Sequence, residues 1–215
     1  SFWPNDDRWA GHYVLLTGYD DAEKVFITQD SELGPDQRVP YDQLFEEWES
    51  FNRVYMMLFP PEQAAVYQSL LGDDWDRDLN RKRAIDIFQA ETKADPKNAF
   101  AFFNLGTNLV YFDRYGEAFN AYDTALKLKL PQRMLRYQFG VYMTYFNTGR
   151  IDELIALCDY ALEITPNSEE AMLWKGWGLY RQGKSDEALN IFQKALEARP
   201  DYGDANYAIN FVLNN

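Results

Sequence analysis

The sequence predicts a mainly α protein: a solenoid of paired helices, preceded by a small antiparallel β unit that contains one helix. Two observations carry this. Apolar residues fall in short β-like runs up to Phe59, whereas from Pro61 onward they recur with the 3.6-residue period of helices. Prolines then close successive helical pairs at Pro96, Pro131, Pro166 and Pro200, at intervals of 35, 35 and 34 residues. A repeat of this length built from two helices predicts stacking of like units.

The first unit spans residues 1–60. "HYVLLTG" and "KVFIT" are rich in β-branched and aromatic residues and predict two strands, joined by the polar "YDDAE" in a turn centred near Asp21. "YDQLFEEWESF" sets Leu44, Phe45, Trp48 and Phe51 on one helical stripe. "RVYMMLF" predicts a buried strand, stopped by Pro60 and Pro61. Residues 61–98 predict a linker and a degenerate first helical pair marked by Leu71, Gly72, Ala84, Phe88 and Pro96. Three full pairs follow over 99–200, and residues 201–215 predict a capping helix, which stacked arrays need at their ends.

Composition excludes several functions. The chain of 215 residues carries 34 acidic against 21 basic side chains, a net charge of −13, which argues against nucleic acid or anionic membrane as a partner. No apolar run reaches the ~18 residues of a membrane span. The N-terminus lacks a signal-peptide pattern, although a start at Ser1 is consistent with removal of an upstream segment. A single cysteine, Cys158, allows no internal disulfide. No metal-spaced histidines, phosphate loop or dinucleotide fingerprint is present, so no cofactor and no metal is expected. "DDWDRD" at 73–78 lacks the glycine and final glutamate of a calcium loop and is expected to be a solvated linker.

The unit from Glu169 to Pro200 has Gly176, Gly183, Ala188, Phe192, Ala195 and Pro200 in the spacing of the tetratricopeptide repeat, which it resembles. Ala99–Leu130 resembles it through Leu105, Gly106, Ala118, Tyr122 and Ala125. The unit between them keeps Tyr145, Gly149, Ala161 and Pro166, but places Leu154 where a small residue belongs and Cys158 where an aromatic one belongs. Cys158 is expected to be a buried structural residue.

The resemblance implies a scaffold that binds a protein or an extended peptide along the concave face lined by the first helix of each pair. On this chain that groove is expected to present Phe100, Phe103, Thr107 and Tyr111 in one repeat and Leu173, Trp177, Tyr180 and Arg181 in the last. Between them it presents Tyr137 and Val141 or, with a two-residue shift, Phe139 and Met143. Chaperone-binding members of the family clamp a carboxylate with lysine and asparagine; Phe103, Thr107, Leu173 and Trp177 stand at the corresponding places, so an apolar or basic peptide is the expected ligand. The same face is equally suited to bury against the β unit, and each aromatic is as suited to the core between repeats as to a groove.

The only histidine, His12, and Asp30 lie across from each other in the predicted hairpin, where a carboxylate can orient an imidazole general base. The spacing alone is also that of a histidine opening one strand and an aspartate ending another at a turn. Gly11, His12, Gly18, Asp20, Asp30, Gly34, Tyr41, Phe45 and Trp48, in this order, resemble the C-terminal half of a papain-like cysteine peptidase domain of the bacteriocin-processing type. Ser31 departs from the proline frequent in that group.

The resemblance implies that His12 is the general base and Asp30 its orienter. It also implies a cysteine-bearing N-terminal half, as a cleaved or non-covalent partner, unless the unit is a degenerate scaffold. A bacterial, exported parent protein follows from the same resemblance. Only eleven residues precede His12 and none is cysteine, so this chain by itself is expected not to hydrolyse peptides.

Overall fold

The computed structural model describes residues 11–214. Strands β1 (Leu15–Asp20), β2 (Val25–Asp30) and β3 (Gly34–Pro40) form one antiparallel sheet in the order β1-β2-β3. Both turns are closed by aspartates. Asp20 Oδ1 accepts from the amides of Ala22 and Glu23 (3.0 and 3.2 Å), and Asp30 Oδ1 from those of Glu32 and Leu33 (2.7 and 2.9 Å). β3 has the sequence GPDQRVP, polar and proline-bearing, which hides a strand from periodicity; its place at the sheet edge is where such residues are tolerated.

Two features of the β unit differ from expectation. The pairing runs from Leu15 with Gln29 and Leu16 with Thr28, through a bulge, to Gly18 with Ile27 and Asp20 with Val25. The turn therefore lies beyond Asp21, and His12 precedes β1 instead of facing Asp30 across the ladder. Residues 54–60 form no strand; Val54, Met56 and Leu58 are 57%, 76% and 87% exposed. The cause lies just upstream. After α1 (Tyr41–Glu49), Asn52 and Arg53 adopt left-handed backbone, and Arg53 is held by Glu91, so the chain is led away from the sheet.

The remainder is helical: α2 (Ala64–Leu71), α3 (Arg77–Ala94), α4 (Ala99–Tyr111), α5 (Tyr115–Lys127), α6 (Gly140–Asn147), α7 (Ile151–Ile164), α8 (Glu169–Arg181), α9 (Ser185–Ala198) and α10 (Gly203–Leu213). Asn98 caps α4 and Ser168 caps α8, accepting from Ala101 N (3.0 Å) and Ala171 N (3.4 Å). Asp76, in the acidic "DDWDRD" stretch, caps α3 by accepting from Asp78 N and Leu79 N. Asp113, Gly149 and Gly183 take the left-handed conformation at equivalent turns between paired helices.

The first helices α4, α6, α8 and α10 touch in succession and form an inner layer, with α5, α7 and α9 packed behind them. Within a pair, a glycine on the first helix receives a ring from the second. A Cβ on Gly106 would lie 2.8 Å from the Tyr122 ring, and a Cβ on Gly176 would press into Phe192. The middle pair reverses this arrangement. Tyr142 occupies the small-residue position of α6, buried beside Cys158, so ring and small side chain have changed helices. This accounts for Cys158 standing at the aromatic position of α7.

Two apolar clusters hold the array, one from α3 to the first turns of α8 and one from α8 to α10. The β unit contributes little to either. Among the described residues before Ile85, Val25 is the only buried apolar side chain. The unit is attached through residues 49–53, whose Phe51 packs on the first cluster.

Candidate functional site

His12 and Asp30 are brought together, although not by the ladder. His12 Nε2 lies 3.1 Å from Asp30 Oδ1; the imidazole is 41% exposed and the carboxylate 8%. The Leu33 and Glu32 amides, followed by the His12 ring, hold the Asp30 carboxyl below the usual carboxylate range. A carboxylate kept ionised against Nε2 orients the ring and leaves Nδ1 as the nitrogen able to take a proton. Beside the pair is an open depression of about 430 Å3 lined by Leu15, Gln29, Asp30, Ser31 and Pro35. Cys158 is fully buried in the helical core, where burial pushes its thiol pKa well up, so it is not a nucleophile for this histidine.

The expected groove residues divide. Phe103 is wholly buried, edge-on to Tyr122 with centroids 4.8 Å apart, so it belongs to the core and not to a groove. Phe100 is half-buried against the first apolar cluster. Tyr111 is partly exposed, but its hydroxyl donates to Asp78 (2.8 Å) and the Arg81 guanidinium lies 5.4 Å from its ring. Tyr137 stands edge-on to Phe51 at 5.9 Å and faces the β unit.

Trp177 and Tyr180 do join an aromatic surface on the inner layer. Trp177 lies 5.6 Å from Phe211 and 6.5 Å from Tyr207, and Tyr180 lies 5.8 Å from Phe211. Tyr207 is 64% exposed. Tyr207 and Phe211 were missing from the sequence-derived groove because α10 reads as a cap. Their spacing of four residues, on one helix face, was the available signal. Towards α6 the surface continues through Phe146 and Trp174, with centroids 5.8 Å apart, and the Arg181 guanidinium lies over Phe146 at 5.1 Å.

Comparison with known proteins agrees with the geometry. Residues 169–202, which are α8 and α9 with their flanking turns, match the tetratricopeptide repeat family profile. The helical array has the fold of a tetratricopeptide-repeat solenoid. YrrB, whose structure is described as a TPR protein with an unusual peptide-binding site, superposes with a TM-score of 0.54 at 21% identity, covering 69% of this chain and 73% of that one. MamA superposes with a TM-score of 0.56 at 17% identity, covering 75% and 85%. At such identities the likeness concerns the fold.

Human protein arginine N-methyltransferase 9 is 39% identical over 66 residues, which are 31% of this chain and 8% of that protein. Human protein O-mannosyl-transferase TMTC3 is 24% identical over 180 residues, 77% of this chain and 20% of that protein. The chain thus spans at most a fifth of these curated relatives.

Proposed function

We propose that the chain is a scaffold that holds an extended peptide against the aromatic inner surface of its C-terminal repeats. The observation that carries this is the grouping of Trp177, Tyr180, Tyr207 and Phe211 on neighbouring first helices, with Tyr207 presented to solvent. Large rings with little rotamer freedom are the side chains that anchor partners in a groove. The peptide-binding description attached to YrrB is consistent with this use of the fold. The overall acidity favours a ligand with apolar and basic side chains.

The test is to pan a random peptide display library on the immobilised full chain and titrate the selected peptide calorimetrically. Trp177→Ala or Tyr207→Ala should weaken binding at least tenfold without lowering the helical signal. Undiminished affinity in both variants would remove the proposal.

A second reading, that the chain is the histidine-bearing part of a papain-like cysteine peptidase, is favoured by two observations. His12 and Asp30 touch in the required manner. Among the described residues the β unit also buries almost no apolar side chain, while Tyr13, Leu15, Tyr19, Leu33 and Phe45 are exposed, as in half of a domain. In this reading residues 1–60 form the peptidase half, and the repeats present substrate or regulator.

Native and denaturing mass spectrometry on material from the natural source, followed by a thiol-reactive peptide probe, separates the readings. A cysteine-bearing companion that is labelled, and loses labelling with His12→Ala, supports the peptidase. A chain that accounts for the whole mass and takes no probe refutes it.

A further inference from the structure

Residues 49–53 are gripped by the solenoid in the way a groove grips a peptide. Two side-chain amides reach main-chain carbonyls: Asn104 Nδ2 donates to Glu49 O (2.7 Å) and Gln138 Nε2 to Ser50 O (3.0 Å). Side chains are read separately. Asn98 Nδ2 donates to the Glu49 carboxylate (2.8 Å), Asn108 Nδ2 to Asn52 Oδ1 (2.7 Å), and Tyr137 meets the Phe51 ring edge-on. Arg53 then pairs with Glu91 on α3 at 2.9 Å.

The grip is largely polar: beside the apolar contact of Phe51, α4 spends two wholly buried asparagines, Asn104 and Asn108, on this five-residue segment. The fit is also incomplete. Asn104 Oδ1, Arg53 Nε and Glu91 Oε2 are buried without a hydrogen-bond partner among the described residues, and all three belong to this joint. On its other side the segment hangs from the end of α1: the amides of Phe51 and Arg53 donate to Trp48 O (3.1 and 3.2 Å), that of Asn52 donates to Glu49 O (3.0 Å), and the Arg53 guanidinium lies 4.3 Å from the Phe45 ring.

We infer that residues 49–53 are a resident, displaceable ligand of a second peptide site, between α3, α4 and the turn before α6. Its external ligand is a peptide with a glutamate, an aromatic residue two positions on, and then an asparagine. A donor placed against Asn104 Oδ1 gives that ligand an advantage over the loop. Because the loop is tethered, its effective concentration is on the order of millimolar, so a free peptide at micromolar concentration does not displace it. The site is distinct from the aromatic surface of α8 and α10 and does not rest on that assignment.

The probe is a fluorescent peptide of residues 46–54, EEWESFNRV, titrated against the full chain. The unaltered chain should show no binding at micromolar concentrations. Phe51→Ala with Asn52→Ala, which loosens the loop, should raise affinity at least tenfold, and further addition of Asn104→Ala should abolish the gain, while Trp177→Ala should not. A loosened chain that binds no better, or a gain that survives Asn104→Ala, overturns the inference.

The unaltered chain gives an independent readout that needs no variant to fold. At several millimolar unlabelled peptide, amide hydrogen exchange in residues 49–53 should rise severalfold. Unchanged exchange there likewise overturns the inference.

Discussion

The reversed packing of Tyr142 and Cys158 makes a prediction that neither residue makes alone. In the flanking repeats a ring on the second helix fills the space above a glycine on the first, so close that a Cβ on Gly106 would meet the Tyr122 ring at 2.8 Å. In the middle repeat the ring comes from α6, and the wholly buried Cys158 leaves room for it. Cys158→Phe, which restores the repeat pattern in sequence, should therefore destabilise the fold by about 1–3 kcal/mol through overpacking against Tyr142. Tyr142→Ala should cost about 3–5 kcal/mol by leaving a ring-sized cavity.

Combined, the two changes recreate the arrangement of the neighbours. The double variant should be more stable than the sum of the single losses by about 1–3 kcal/mol, within the range of couplings measured between touching residues. Urea unfolding followed by helical circular dichroism checks this, since ~2 kcal/mol moves the midpoint of a small domain by about 1 M. Strict additivity would refute the reasoning, because it would mean that the ring and the thiol do not share one space. A control follows from the Tyr142 hydroxyl, which is buried without a partner among the described residues. Tyr142→Phe should be neutral or stabilising by about 1 kcal/mol, whereas the same change at a bonded hydroxyl would destabilise.

Other predictions follow from single contacts. Gly176→Ala forces a Cβ into the Phe192 ring and should lower stability by about 1–3 kcal/mol in thermal melts, whereas alanine at Gly116, which meets nothing within 4 Å, should not. Asp76→Ala removes the side chain that accepts from Asp78 N and Leu79 N and should cost about 1 kcal/mol, read as loss of helical signal on warming.

Two carboxylates give opposite pH trends. Asp30 has a lowered pKa in the fold, so its contribution is complete above the unfolded value of about 3.9 and is lost as pH falls through the folded value. The amide resonances of Glu32 and Leu33 should report that loss. Burial raises Glu49 despite Asn98 and Arg53, so its ionised form weighs against the fold as pH rises through the range of carboxylate titration. Stability measured at pH 4 and pH 7 should therefore show Glu49→Gln gaining on the unaltered chain at pH 7; a gain confined to pH 4 would contradict the burial argument.

The repeat array was legible because its signals are local. The 3.6-residue period, a proline after each pair and small residues at the helix crossings are properties of single segments. The hairpin of β1 and β2 and helix α1 were legible for the same reason. β3 was not, because a polar edge strand with two prolines has no periodic signature. "RVYMMLF" misled in the other direction. Its composition suits a strand, but a strand exists only with a partner, and the anchoring of Arg53 on Glu91 takes this segment away from the sheet.

What the sequence by itself determined, then, is the fold class of the protein: a small β unit with the chain's sole histidine and an aspartate, followed by a tetratricopeptide-like solenoid of helical pairs. Tertiary structure alone decided the assignments that depend on contacts between distant segments. It placed Phe103 under Tyr122 and left Tyr207 in solvent, though both are aromatic residues on first helices. It exchanged ring and thiol between α6 and α7, and it set His12 against Asp30 despite a shifted hairpin register. It also laid residues 49–53 across the asparagines of α4. The physical reason is that periodicity tells which face of a segment is buried, while the identity of what covers that face is a property of the whole folded chain.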